Sequence, residues 1–209
     1  MRLFVWILAL LFGTQTNAAE FQNGNWVLDD RSFFPYGAFA PEDPTLDAHL
    51  NQSHSNVLRA LDEAPLINLA KEGALIRLSV IPWRSNPFVF RVSRLEDGFG
   101  VNFKLAWGIA SNAGGVDTQD RFPLSTEAFV KALTALQIMD ICASSPWAEL
   151  QPGASLWIVD TLNGPYCVRA FGAPLGEPAA DLLSAVSSPL RGLPSIVRRE
   201  LNQALQVGE

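Results

Sequence analysis

The sequence predicts an α+β fold, in which an antiparallel β-sheet (a meander plus a second hairpin) is covered by helices. Three observations predict it. Residues 74–108, ALIRLSVIPWRSNPFVFRVSRLEDGFGVNFKLAWG, alternate apolar and polar side chains in three successive runs. A second pair of apolar runs flanks Asn163-Gly164, a dipeptide suited to a two-residue hairpin turn. Amphipathic segments stand before, between and after these strands, which is the arrangement of an α+β domain.

The chain begins MRLFVWILALLFGTQTNAAE. One basic residue, an unbroken apolar run from Leu3 to Phe12 and a small-residue stretch ending Ala18-Ala19 have the form of a secretory signal peptide over residues 1–19. The apolar run is short for a bilayer span. The expectation is therefore an exported protein, periplasmic or extracellular, with no stable membrane anchor after cleavage. Residues 20–209 then form a single α+β domain. Its first part, 20–43, holds Trp26, Phe33, Phe34, Tyr36 and Phe39 between Pro35, Gly37 and Pro41. No clean period runs through it, so it reads as an irregular segment, with a short strand at 25–28, that lays aromatics on the domain. The alternative is an exposed docking segment.

Residues 44–73 read as helical. Asp43 suits a cap for a turn with Leu46 and Leu50, and Ser55 or Asn56 a cap for a second with Val57, Leu58 and Leu61. Pro65 breaks the pattern, and Gly73 closes a further turn over 66–71. In the meander, Ile76, Leu78 and Val80 share one face, as do Phe88, Phe90 and Val92, and then Phe99, Val101, Phe103, Leu105 and Trp107. Pro82 and Pro87 fit strand ends, and Glu96-Asp97-Gly98 fits a tight turn. The Phe-rich face is expected to be the core, at about 1.5–3 kcal/mol for each ring buried.

The opposite face carries Arg77, Arg91 and Lys104 in an otherwise acidic chain. Either these three form a basic patch for an anionic ligand or a protein partner, or they lie on an ordinary solvated face, as antiparallel sheets commonly have.

After the meander, 109–121 contains Ala113-Gly114-Gly115 and reads as a loop or wide turn. It lacks the lysine and spacing of a phosphate loop. Ser125 to Ile141 is the best helix, with Ser125 as cap, Glu127 at the positive end of the dipole, and a stripe of Phe129, Val130, Leu133, Leu136 and Ile138 over the sheet. The second hairpin spans 154–160 and 166–171, and its inward side is ambiguous because Ser155 and Ile158 do not separate cleanly. Helices over 177–188, with Pro178 in the first turn, and from Ser195 with Ile196, Val197, Leu201 and Leu205 inward, end the chain.

Removal of residues 1–19 takes away Arg2 alone among charged residues, leaving 14 basic against 21 acidic residues, a net charge of −7. That argues against nucleic acid as a partner, since such affinity rests on Lys and Arg against phosphate. The two cysteines, Cys142 and Cys167, suggest one disulfide in an exported chain, worth about 3 kcal/mol by loop entropy; two buried thiols are the other reading.

Three pieces of the chain resemble a family of small exported bacterial proteins of unknown function. They are Ile76-Arg77-Leu78 through Trp83-Arg84 to the Asn86-Pro87-Phe88-Val89-Phe90 strand; Ala113-Gly114-Gly115 ahead of the helix ending Met139-Asp140-Ile141; and Gly153, Trp157 and Asp160 followed by Asn163-Gly164 and Tyr166. The likeness spans about residues 74–171. It implies export and an α+β domain, and no activity. The family has Trp where Cys142 stands and His where Cys167 stands; if those positions touch, a disulfide between the two cysteines follows naturally. The family's Arg after the Tyr-His strand is matched only by a shifted Arg169.

No catalytic set emerges. His49 and His54 lie five residues apart, about 140° around a helix, so with Asp43 and Asp47 they do not converge as zinc ligands and read as surface histidines. No G-x-S-x-G elbow is present; Gly153-Ala154-Ser155 enters a strand. Glu96, Asp97 and Asp160 are the acids available for a carboxylate pair. The expectation is thus a non-enzymatic binding or interaction protein without catalytic residues, metal or cofactor, an inhibitor or protective partner of another envelope protein being one form. The alternatives are an atypical hydrolase using acids and a structural envelope domain.

Overall fold

The computed structural model describes residues 20–22, 25–27, 33–40, 42–70, 73–109, 112–142, 155–162, 166–172, 175–190 and 192–205. Residues 1–19, expected to be a signal peptide, and Asn163-Gly164, expected to form a turn, lie outside them. A two-stranded hairpin, β1 (Glu20–Gln22) with β2 (Asn25–Val27), comes first. Then follow α1 (Pro44–Ala60), α2 (Leu66–Leu69), β3 (Ala74–Ile81), β4 (Phe88–Leu95), β5 (Gly98–Ala106), β6 (Val116–Leu124), α3 (Thr126–Met139), β7 (Leu156–Thr161), β8 (Cys167–Gly172), α4 (Glu177–Ser187) and α5 (Ser195–Leu205). β3 to β8 make one antiparallel sheet in the order β6-β5-β4-β3-β7-β8. The α+β class is as expected. The two strand groups, however, are joined: β7 pairs along β3, with Arg77 opposite Asp160.

The Phe-rich face is a core. Ile76, Leu78, Val80, Phe88, Phe90, Phe103 and Trp157 pack with Phe129, Leu136, Leu182, Leu183, Val197 and Leu201 of α3, α4 and α5. The inward line of α3 is Phe129, Ala132, Leu136 and Met139, while Val130 and Ile138 of the expected stripe are exposed. The small Ala132 and Ala135 lie on this buried side, where α3 also runs close along α4, so side-chain size did not mark its inner face. Trp107 lies past the end of β5 and is exposed; its ring packs over Gly114, where a Cβ would stand 2.1 Å from it.

The other sheet face is covered too, against the expectation of a wet one. Ile81, Val89, Leu156, Ile158 and Ala170 pack under Phe33, Phe34, Phe39, Val57, Leu58 and Leu61. Every residue of β7 is buried, which is why its apolar and polar positions do not alternate.

The expected loop at 109–121 contains most of β6. Its sequence VDTQDRFPL is polar because it is an exposed edge strand, and Pro123 and its charges suit an edge. Residues 44–60 form one helix, not two turns. Asp43 caps it, its carboxylate accepting from Thr45 and Leu46 N–H, and Ser55 instead holds the aromatic segment. Ser125 caps α3 by accepting from Ala128 N–H. Cys142 and Cys167 form a disulfide, Cα–Cα 5.0 Å, tying the end of α3 to β8.

Candidate functional site

α1 carries a buried polar stripe at i, i+4 and i+8: Asp47, Asn51 and Ser55. Asp47 accepts from the backbone N–H of Gly37, Phe39 and Ala40 at 2.8–3.0 Å. Asn51 donates to the Phe34 carbonyl, and Ser55 Oγ accepts from Phe33 N–H while donating to Asn51. This grip lays Phe33 and Phe34 over Arg77, whose Cζ lies 5.9 and 5.8 Å from the two ring centroids. His54 is buried against Phe39, not at the surface, and burial, with the nearby His49 second, lowers its pKa to about 4.

α1 ends with Asp62 in the left-handed region, φ 51°, while Asp62 and Glu63 N–H donate back to Arg59 and Leu58 carbonyls. This paired closure turns the chain down onto the sheet. The Glu63 carboxylate meets Lys104 Nζ at 3.0 Å, Arg91 at 2.8 Å and Arg77 at 3.9 Å. Lys104 also donates to the Asp62 carbonyl, and Arg77 to the Ala64 carbonyl at 2.6 Å. On its other side Arg77 forks onto Asp160, Nε–Oδ1 3.0 Å and Nη2–Oδ2 2.6 Å. Tyr166 donates to the Phe33 carbonyl and Asp160.

Burial pushes the Asp160 carboxyl above its usual range, against the pull of Arg77. Burial and then the Asp160 charge push the Tyr166 phenol well above its own. Burial opposes the Arg77 charge, yet Asp160, Tyr166 and Glu63 outweigh it and the guanidinium is held above its usual value.

The three cations singled out from sequence are thus brought together, but beneath a layer of protein and against two carboxylates. Arg77 is 0% exposed and Lys104 4%. A solvent-facing patch of Arg77, Arg91 and Lys104 is not what the fold makes, and neither is a solvated face. The reason is the grip of α1, whose polar stripe a search for apolar periodicity passes over. Asp160, one of the acids considered for hydrolysis, is 0% exposed and held by Arg77 and Tyr166. Among the described residues no group of three or more His, Cys, Asp or Glu is placed to hold a metal ion.

An open cleft lies elsewhere, between the 82–87 loop joining β3 to β4 and the helix α5. It encloses about 620 Å³ and is lined by Pro82, Trp83, Arg84, Ser85, Ser155, Arg199, Glu200 and Gln203. The loop is pinned by Asn86 Nδ2 donating to the Ala106 carbonyl at 2.8 Å and by Ala106 N–H donating to Pro87. Trp83 is 66% exposed at its tip. Glu200 is buried and accepts from Ser155 Oγ at 2.6 Å, with Arg199 3.6 Å away. The buried Ser85 hydroxyl makes no hydrogen bond among the described residues. In the sequence Trp83-Arg84 stands between the strand ends at Pro82 and Pro87, and Ser155 at a strand entry, but nothing short of the fold brings them to α5. No protein-family model, curated protein or solved structure matches the chain.

Proposed function

We propose that this chain is an exported binding protein, non-enzymatic, that takes its ligand in the cleft between the 82–87 loop and α5. The observation that carries the reading is one cleft lined by the exposed Trp83, by Arg84 and Arg199 and by Ser85, whose buried hydroxyl makes no hydrogen bond among the described residues. An exposed aromatic beside convergent polar groups is the make-up of a ligand site, and roughly 300–1,000 Å³ is the usual size. The charge cluster supports the same division of labour: it holds α1 on the sheet and leaves only the Arg91 side chain partly exposed. Export is supported by the form of residues 1–19, by the disulfide and by the resemblance to exported bacterial proteins. Among the described residues no helix is long and apolar enough to cross a membrane.

The test is an NMR titration of the labelled chain with the low-mass fraction of an envelope extract. Perturbations are expected at the Trp83 indole N–H and the Arg84 and Arg199 guanidinium N–H groups. Perturbations confined to other surfaces, or none at all, would overturn the reading.

A further inference from the structure

The cleft combines four recognition elements with different chemical demands. Trp83 presents an exposed indole, which packs against a flat apolar or C–H-lined surface. Arg84 and Arg199 present guanidiniums, which fit a carboxylate through paired N–H donors. Ser85, Ser155 and Gln203 present groups that both donate and accept, and the Ser85 hydroxyl, buried and lining the cleft, makes no hydrogen bond within the described residues. A buried polar group without a partner is costly, so this hydroxyl marks a position for a ligand atom. Glu200 adds a buried acceptor that favours a hydroxyl donor.

The positive character continues outside the cleft. An adjoining hollow of about 480 Å³ is lined by Ser195, Arg198, Arg199, Asn202 and Gln203. The chain as a whole carries a net charge of −6, so three arginines along this edge concentrate positive charge where the rest of the molecule does not. An extended peptide added as a strand is disfavoured here, because β3 is already paired on both sides, by β4 and β7.

From these demands together we infer that the cleft's ligand is a sugar acid: a hydroxyl-rich ring carrying a carboxylate. This rests on the reading of the cleft as the binding site. The ring's C–H face stacks on Trp83, the carboxylate meets Arg84 and Arg199, and ring hydroxyls are shared among Ser85, Ser155, Glu200 and Gln203.

The experiment is calorimetric titration of the full chain with three probes: digalacturonate, the neutral disaccharide galactobiose, and hexaglutamate. Digalacturonate is expected to bind about tenfold or more tightly than galactobiose, as loss of a charge-assisted pair implies. Trp83→Ala and the double substitution Arg84→Ala/Arg199→Ala are each expected to weaken it about tenfold or more. Ser85→Ala is expected to weaken it severalfold with an unchanged melting temperature, since that hydroxyl has no partner to lose in the fold. These side chains, Ser85 aside, are solvent-facing, and thermal melts of each variant check that it is folded. Equal binding of galactobiose, tighter binding of hexaglutamate, indifference to the substitutions, or no binding of digalacturonate would each overturn the sugar-acid assignment. If digalacturonate fails while the envelope extract still perturbs Trp83, the ligand class falls and the cleft stands; if both fail, both fall.

Discussion

His54 shows how one side chain sets a pH limit on the whole fold. It is buried beside Phe39, and its pKa falls from 6.5 to about 4 because burial penalises the charged ring. The unfolded chain therefore binds a proton at higher pH than the folded one. Stability from the neutral ring is complete above pH 6.5 and is lost as pH falls from there toward 4. With one unit worth about 1.4 kcal/mol, the shift amounts to about 3 kcal/mol. Urea titrations from pH 7 to pH 4 should show this slope, and His54→Gln should flatten it by that amount; an identical slope in the variant would assign the pH dependence to other groups. In the sequence His54 is one of two histidines on a helix, and spacing alone does not distinguish the inner from the outer one. What separates them is Phe39, which arrives from a different segment.

At the scale of elements, α1 acts as a clamp. Its stripe Asp47-Asn51-Ser55 holds residues 33–40, and its end delivers Glu63 to three cations on β3, β4 and β5. Arg77 and Arg91 are direct cross-strand partners, a like-charge pair that is unfavourable alone, so the carboxylates are needed for the register as well as for the helix. Asp47→Ala should cost about 2–4 kcal/mol, because three backbone N–H groups lose a charged acceptor. Amide exchange at Gly37, Phe39 and Ala40 should accelerate before the sheet does. Glu63→Gln leaves Lys104 and Arg91 without their counter-charge and should cost about 3–5 kcal/mol in equilibrium unfolding. A loss below 1 kcal/mol would mean that the cations reach water in solution. The strands of the meander were legible from period two and the helices from their caps. The clamp was not, because buried polar residues at helical spacing look like a solvated face until their partners are in place.

For the whole molecule, the sheet is sandwiched between α3, α4 and α5 on one face and α1 with its aromatic segment on the other. The meander, the cap at Ser125 and the cysteine pair could be read from the sequence. The insertion of β7 beside β3 could not, because pairing between residues 75 to 85 positions apart, from Ile81 with Leu156 to Ile76 with Thr161, leaves no local signal. β6 was lost for a related reason: an exposed edge strand has little apolar pattern to read. The Cys142–Cys167 disulfide joins two of these distant parts. Its removal by Cys142→Ser/Cys167→Ser should lower stability by about 3 kcal/mol under the loop-entropy account. Comparing urea midpoints of the variant and of the oxidised parent checks this; equal midpoints would show that the bridge does not constrain the unfolded chain.

The place of β7 also sets an order of assembly. β3 to β6 are joined by short connections and can zip in sequence, whereas β7 must return to β3 across the whole of residues 82–155, a long loop closure that is slow. Until it does, Arg77 lies on the growing sheet without Asp160, so the ion pair acts as a late latch on an already formed meander. Stopped-flow measurements should then find Val92→Ala and Val101→Ala in the β4–β5 hairpin slowing folding, and Val159→Ala in β7 chiefly speeding unfolding. The reverse ranking would place β7 in the nucleus, and the latch would then be the seed.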